Sequence, residues 1–246
     1  MSIQLQSALM SIKDMAYYVN ENARSGKANY GHEAAVADKI KAAGFIEIDK
    51  KEFPKITKAM LKKWARTGTD DALRKVTKGM AVGSYILQPA GSQGLPDVLI
   101  LDFDNRFVGL ECKSTKRKGP PMWNDSLPNP NIIYILASGV LDKTTIFLGK
   151  DVITDTEVDL QLQFWDEVKA LQEKYKKLME LEDKFGRGFC VKGRPQNFQF
   201  GGENKVNYFA HKDMAVCEAN ALAFARGAIE NVDIELEINE LQPDLL

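Results

Sequence analysis

The chain has 246 residues, of which 44% are hydrophobic and 27% are charged, and its formal net charge is -1. These values are typical of a soluble globular protein with a substantial core, in one large domain or two small ones. Three cysteines without paired spacing argue against a disulfide framework or a zinc site, and they fit a reducing cytoplasm. No charged-then-apolar leader opens the chain and no apolar run approaches the roughly 18 residues of a membrane span, so we expect neither secretion nor membrane insertion.

Two helical patterns open the chain. Apolar residues near helical spacing predict a first helix over 2–23, which packs either on the core or on a partner subunit. A second helix is predicted over 32–43, ending at Gly44 in the position of a C-cap. Glu33 lies in its first turn, where the helix dipole favours a carboxylate. Both this capping role and a catalytic role for Glu33 stay open.

A basic stretch follows the second helix. A short strand over 45–48 precedes two short predicted helices, over 55–64 and 70–78, which belong to a helical insertion at about residues 54–79. The run from Lys50 to Arg66 is rich in lysine, and it is either a solvated face or a contact for the DNA backbone. A strand over 80–88 and a loop of small residues over 89–94 then lead to the central motif.

The central motif is a predicted β-hairpin. Two apolar runs, 98–103 and 107–110, flank a polar turn at 104–106. Because side chains alternate along a strand, Glu111 and Lys113 share one face while Cys112 points to the other. Folding the hairpin back on itself brings Asp97, at the start of one strand, beside Glu111, at the end of its neighbour. The pattern therefore predicts two carboxylates and an ammonium group at one end of a sheet.

This combination of charges indicates a metal site. Two carboxylates are costly to bring together unless a positive group lies between them. Mg²⁺ prefers oxygen ligands, commonly one or two carboxylates together with phosphate and water. Lys113 would then orient or deprotonate an attacking water, giving metal-assisted hydrolysis of a phosphodiester. The alternative is a surface hairpin whose charges are solvated, with Glu111 and Lys113 as an ion pair.

The motif also resembles a known signature. Pro96-Asp97, thirteen intervening residues and Glu111-Cys112-Lys113 resemble the Pro-Asp…(Asp/Glu)-x-Lys signature of a nuclease superfamily, and within it the type II restriction endonucleases. The resemblance implies an α/β fold with a restriction-endonuclease-like mixed β-sheet flanked by helices. It also implies that Asp97, Glu111 and the main-chain carbonyl of Cys112 bind Mg²⁺, and that Lys113 assists the attacking water.

The residues around the motif extend the resemblance over roughly residues 31 to 149. Gly31-His32-Glu33 and the helix that follows resemble the helix that precedes the core sheet in this superfamily, where a glutamate often approaches the active site. This resemblance makes Glu33 a catalytic candidate. The run QPAGSQGLPD before the motif resembles the loop that such nucleases place against DNA. A loop in place of a helix directly after Lys113 departs from many members.

Polar and basic side chains near the motif are candidates for DNA contact. Glutamine, asparagine and serine can contact base edges or phosphates, and lysine and arginine contact phosphates. The ordinary alternatives are turns made by the Asx residues of the 114–130 loop, and an amphipathic edge strand over 189–200. The candidates are Ser92, Gln93, Lys116, Arg117, Lys118, Asn124, Asp125, Arg194, Gln196 and Asn197.

The rest of the chain supplies further elements. Two apolar runs predict strands over 132–137 and 144–148. A long amphipathic helix is predicted over 155–183, and we interpret its apolar stripe as facing the core, with a dimer contact as the alternative. An alanine-rich helix is predicted over 213–230.

The sequence thus predicts a Mg²⁺-dependent endonuclease that cuts double-stranded DNA at a specific sequence. We expect one domain, with a catalytic core at about 31–150 and C-terminal helices and a DNA-contacting segment at about 155–246. Cutting both strands of a palindrome favours a homodimer. The alternatives are a structure-specific repair or recombination nuclease and an inactive nuclease-like DNA-binding module. No P-loop, Gly-x-Ser-x-Gly elbow or His-Glu-x-x-His zinc helix is present.

Overall fold

Six strands of the described chain form a mixed β-sheet at the centre of the protein. The structure is a computed structural model, and it describes residues 3–13, 15–17, 31–92, 94–115, 121, 123–124, 127–191, 193, 196–197, 208–209 and 213–228. The spatial order of the strands is β1-β2-β3-β4-β6-β7, and β5 and β8 form a separate two-stranded sheet. The strands are β1 (Ile46–Ile48), β2 (Ser84–Leu87), β3 (Val98–Leu101), β4 (Phe107–Thr115), β5 (Trp123–Asn124), β6 (Ile132–Ser138), β7 (Lys143–Leu148) and β8 (Gln196–Asn197).

Helices cover both faces of the central sheet. The described helices are α1 (Ile3–Ile12), α2 (His32–Ala42), α3 (Lys58–Thr67), α4 (Asp71–Val76), α5 (Asp155–Leu181) and α6 (Met214–Arg226). One hydrophobic cluster joins the sheet to α1, α2 and the C-terminal half of α6. A second cluster, on the opposite face, contains the apolar side chains of α3 and α4. The protein is therefore an α/β protein with a mixed sheet flanked by helices, as the sequence predicts.

The pleat of β4 explains how the two clusters are separated. Val108 and Leu110 point into the first cluster, and Phe107 points into the second. Leu99 and Ile100 of β3 divide in the same way. A strand buried on both faces reads as a continuous apolar run, which is why the hairpin could be recognised in the sequence.

The two neighbours of β4 pair with it over different lengths. The antiparallel register with β3 runs from Leu101 opposite Phe107 to Val98 opposite Leu110. The parallel pairing with β6 continues to Thr115, which lies opposite Ser138. Past Leu110, β6 is therefore the only strand in the described part of the chain that pairs with β4, and the candidate site begins at this point.

The turn of the hairpin is fixed to α6 by Asp102 and Arg106. The buried Asp102 carboxylate accepts hydrogen bonds from the backbone N–H groups of Asp104 and Arg106, each at 2.9 Å. The Arg106 guanidinium donates to Asp102 Oδ2 at 2.9 Å, and to the carbonyl oxygens of Phe224 and Ala225 at 3.2 and 3.1 Å. Cationic donors suit the carbonyls at a helix C-terminus, where the negative end of the helix dipole lies. The far end of the hairpin is thus anchored.

Several predicted boundaries were wrong by a few residues or more. The first helix ends at Ile12, and residues 15–17 are not helical, while 18–23 lie outside the described residues. The strand predicted over 80–88 is confined to Ser84–Leu87. The last helix ends at Arg226, because Gly227 takes the left-handed conformation (φ 79°) that glycine adopts at helix ends.

The core-facing interpretation of α5 was also wrong. The helix begins at a capping box in which Thr154 and Glu157 bond each other's backbone N–H groups, and it runs for 27 residues. None of its residues is buried. Apolar periodicity predicts a helix, but it does not identify the surface that the apolar stripe packs against. None of the helices in the described ranges has both the length and the hydropathy that crossing a membrane would require.

Candidate active site

The strand register brings Asp97 and Glu111 together. Val98 lies opposite Leu110 in the β3–β4 pairing, so the next position of the register places Asp97 opposite Glu111. The backbone N–H of Cys112 donates to Asp97 Oδ2 at 2.7 Å, which fixes the Asp97 side chain against β4. On the other side, the N–H of Gln88 donates to the Asp97 carbonyl oxygen at 2.7 Å. Asp97 is thus held between two chain segments.

Glu111 and Lys113 lie on the same face of β4. The Lys113 Nζ is 2.5 Å from Glu111 Oε1, and the two side chains are only 21% and 10% exposed. The second oxygen, Glu111 Oε2, is buried and has no hydrogen-bond partner in the described residues. Cys112 points the other way and packs at the edge of the first hydrophobic cluster. A buried, unpaired carboxylate oxygen is costly, and a bound cation would remove that cost.

Burial and mutual repulsion perturb both carboxyl groups. Burial raises the pKa of Asp97 from 3.8 to about 7, and the charge of Glu111 adds to this increase, while the hydrogen bond from Cys112 opposes it. Burial also raises the pKa of Glu111, against the opposing effect of Lys113. The charged form of each carboxyl group is therefore destabilised relative to its neutral form. A positive ion between two such groups would reverse these shifts.

Aromatic side chains packed beside Glu111 explain why it is buried. Tyr134 of β6 lies opposite Glu111 in the sheet and is buried. Its ring stacks on Phe147 with centroids 5.5 Å apart and meets Trp123 edge-on at 5.3 Å. The Tyr134 hydroxyl accepts a hydrogen bond from the Asn129 N–H at 2.8 Å. Burial raises the pKa of Tyr134, and the charge of Glu111 adds to the effect. No local pattern in the sequence singles out Tyr134, because its position opposite Glu111 depends on a parallel pairing between two separate strands.

Glu33 approaches the cluster from the start of α2. Gln88 Nε2 donates to Glu33 Oε2 at 3.2 Å, and the charge of Glu33 contributes to the raised pKa of Asp97. Gly31, at the N-cap of α2, makes no side-chain cap hydrogen bond. The position of Glu33 in the first turn also suits the helix dipole, so the structure is compatible with both roles considered for it. No local pattern in the sequence singles out Gln88, which directly follows β2, the strand that pairs with β3.

An open cleft lies beside Asp97. It has a volume of about 590 Å³, and its walls include Glu33, Gln88, Asp97, Glu47, Asp49 and Lys50. Lys50 is the one residue of the predicted basic stretch among the cleft-lining residues described. The cleft gives a solvent path from the surface to Asp97.

The residues present fit a hard divalent cation. The described residues contain no group of three or more His, Cys, Asp or Glu side chains arranged to hold a metal. Mg²⁺ does not need such a group, since it commonly binds through one or two carboxylates and takes its other ligands from phosphate and water. Asp97 and Glu111 supply the carboxylates, and Glu111 Oε2 supplies an oxygen with no other described partner. The zinc site that the cysteine spacing argues against would need a different set of ligands.

The described residues include only some of the remaining candidates for DNA contact. Ser92 is exposed on the loop between β2 and β3. The backbones of Asn124, Gln196 and Asn197 meet in the small β5–β8 sheet, where Asn124 lies opposite Gln196. The sequence did not predict this pairing of two distant segments. Gln93, Lys116, Arg117, Lys118, Asp125 and Arg194 lie outside the described residues.

Comparison of the chain with protein-family models, with curated proteins and with solved structures gave no match. A function for this chain therefore has to be inferred from the chemistry of the site itself.

Proposed function

We propose that this protein is a Mg²⁺-dependent endonuclease that hydrolyses double-stranded DNA at a short specific sequence, with a fold of the type II restriction enzyme kind. The observation that carries the proposal is the convergence of Asp97, Glu111 and Lys113 at one end of a buried hairpin, with one Glu111 oxygen buried and unpaired. Two carboxylates whose charged forms are destabilised, next to an amine, are the arrangement expected at a site that binds a cation and a phosphate together.

Each group has a proposed role. Asp97, Glu111 and the main-chain carbonyl of Cys112 hold the ion. When bound, Mg²⁺ supplies charge neutralisation at the phosphate and a lower pKa for a coordinated water. Lys113 exchanges its contact with Glu111 for the attacking water and orients it. Glu33, held by Gln88, adds negative charge at the edge of the cluster and favours retention of the cation.

The cleft beside Asp97 is the proposed entry for the DNA backbone. Lys50 lines it, and α3 presents further exposed lysines at Lys58, Lys62 and Lys63. Lysines contact phosphates without reading the sequence, so these residues would set affinity and salt dependence. The β5–β8 sheet and the loop that carries Ser92 are the proposed sites of base recognition.

A plasmid-cleavage assay tests the proposal. Supercoiled plasmids and a linear genomic DNA are incubated with the purified protein in Mg²⁺ or in EDTA. Discrete fragments that require Mg²⁺ are expected. Asp97→Asn and Lys113→Met are each expected to reduce cleavage by about 100-fold or more while DNA binding, measured by fluorescence anisotropy in Ca²⁺, is kept. Asp166→Asn and Lys143→Met make the same chemical changes at exposed positions and should cut at the wild-type rate.

Other outcomes of this assay would indicate a different function or a different active site. Cleavage confined to branched DNA would indicate a repair or recombination nuclease. DNA binding without cleavage in any divalent metal would indicate an inactive nuclease-like module. Wild-type cleavage by the Asp97→Asn or Lys113→Met variant would show that the active site lies elsewhere.

A further inference from the structure

The long helix α5 presents an apolar stripe to solvent. Leu160, Phe164, Leu171, Tyr175 and Leu178 are 59, 56, 54, 48 and 47% exposed. These side chains follow one another along one side of a helix of about 40 Å. Large apolar residues in a contiguous exposed row mark an interaction surface far more often than scattered ones do.

The spacing of the stripe is that of a coiled-coil seam. Phe164, Val168, Leu171, Tyr175 and Leu178 are separated by four, three, four and three residues. An alternation of four and three keeps the seam on one side of a helix that pairs with another helix over several turns. Trp165, Val168 and Gln172 of α5 are half-buried. Val168 is the seam residue among them, and Gly193 lies beside Val168 and Gln172 at one edge of the seam. The other four seam residues are exposed and can receive a second helix.

We propose that the partner of this seam is α5 of a second copy of the same chain, packed antiparallel. In that arrangement Phe164 of one copy lies in the same layer as Tyr175 of the other, and Val168 lies with Leu171. Each of these two layers occurs twice, related by the two-fold axis, so these four seam positions are complementary to one another. No residue outside α5 is needed to complete it.

The charges beside the seam select the antiparallel orientation. Glu167 and Lys174 each precede a seam residue by one position and are both exposed, and neither forms an ion pair in the described part of its own chain. In the antiparallel pair, Glu167 of one copy faces Lys174 of the other, twice, while Leu160 faces Leu181 at the two ends. In a parallel pair, the flanking positions would set Glu167 against Gln172 and Lys174 against Met179, with no charge pairing. Flanking charges of this kind determine partner choice and orientation.

This interface goes beyond the proposed nuclease activity and does not depend on it. A two-fold symmetric cut would use such a dimer, but association and cleavage are separate measurements. A failure of the interface is therefore seen in the oligomeric state, and a failure of the nuclease proposal is seen in the plasmid assay.

The test is sedimentation velocity of the full chain between about 1 and 100 μM. A dimer is expected in the wild type. Leu171→Glu places two carboxylates near the two-fold axis and should raise the dissociation constant by about 100-fold or more. Because Leu171 is exposed in the protomer, the far-UV circular dichroism spectrum should not change.

A charge-exchange cycle tests the orientation. Glu167→Lys and Lys174→Glu each place like charges opposite one another, and each should raise the dissociation constant by about tenfold. The double variant exchanges the two charges and should return the constant to within about threefold of the wild type. Glu173→Lys makes the same charge change on the outer side of α5 and should leave association unchanged.

Three results would overturn the proposal. The first is a monomeric wild type at every concentration. The second is a dimer that Leu171→Glu does not weaken, which would place the interface elsewhere. The third is a dimer that Leu171→Glu weakens but that the charge variants leave unaffected, which would exclude the antiparallel pairing.

Discussion

Asp97→Asn should stabilise the protein in a manner that depends on pH. The pKa of Asp97 is raised from 3.8 to about 7, mainly by burial and then by Glu111. The folded state therefore keeps the Asp97 proton to a higher pH than the unfolded state does. As the pH rises from about 4 to 7, the unfolded state ionises first, and stability falls over this window. Above about pH 7, the folded state bears the full free-energy cost of keeping the buried Asp97 carboxylate charged.

The size of this penalty follows from the shift. A rise of about three pKa units, at about 1.36 kcal/mol per unit, corresponds to roughly 4 kcal/mol. The asparagine removes the charge, yet its side-chain oxygen can still accept the hydrogen bond from the Cys112 N–H. We therefore expect Asp97→Asn to increase the free energy of unfolding by about 2 to 4 kcal/mol at pH 8, and by less than about 0.5 kcal/mol at pH 4.

Urea denaturation followed by circular dichroism at pH 4 and pH 8, in EDTA, measures the effect. Asp166→Asn is the matched control, because the Asp166–Lys169 pair is 72% exposed on both sides and contributes little at either pH. The reasoning would be refuted if Asp97→Asn increased the free energy of unfolding equally at both pH values, or lowered it at pH 8. Either result would mean that the charged form of Asp97 costs the folded state no more than the protonated form does.

Three further predictions concern the metal, the hairpin anchor and a close backbone approach. In Mg²⁺ at about ten times its dissociation constant, the melting temperature of the wild type should be about 3–5 °C higher than in EDTA. The melting temperature of Glu111→Gln should be the same in both solutions. Equal increases in the two proteins would show that the ion binds elsewhere. Arg106→Met removes the ion-pair partner of the buried Asp102 carboxylate and should lower the free energy of unfolding by about 3 kcal/mol in urea denaturation. A double variant with Asp102→Asn should recover part of this loss, and a loss as large as that of the single variant would contradict the coupling. Gly149→Ala would place a Cβ against the backbone of Asn129 and should cost about 2 kcal/mol or more by the same measurement, whereas Gly31→Ala, which meets no atom within 4 Å, should cost less than about 1 kcal/mol.

The sequence predicted those features that depend on neighbouring residues. The hairpin, and with it the approach of Asp97 to Glu111, follows from two apolar runs and the turn between them, because the chain segments involved are only a few residues apart. The strands at Ile132–Ser138 and Lys143–Leu148 were found for the same reason.

Features that depend on long-range packing were not predictable in this way. Gln88 meets Glu33 only because β2 and α2 converge, and no local pattern records this. The pairing of Asn124 with Gln196 joins segments more than seventy residues apart. The apolar stripe of α5 gave the correct helix but the wrong environment, because periodicity identifies a stripe without identifying its partner.

The separation of β3 from β4 beyond Leu110 has a consequence for the Asp97 position. The Asp97 carboxylate occupies the place where a main-chain carbonyl of β3 would otherwise receive the Cys112 N–H. An oxygen acceptor at this position therefore serves the architecture as well as the proposed chemistry. Chains of this fold should therefore carry aspartate, asparagine or serine at this position whether or not they are catalytic.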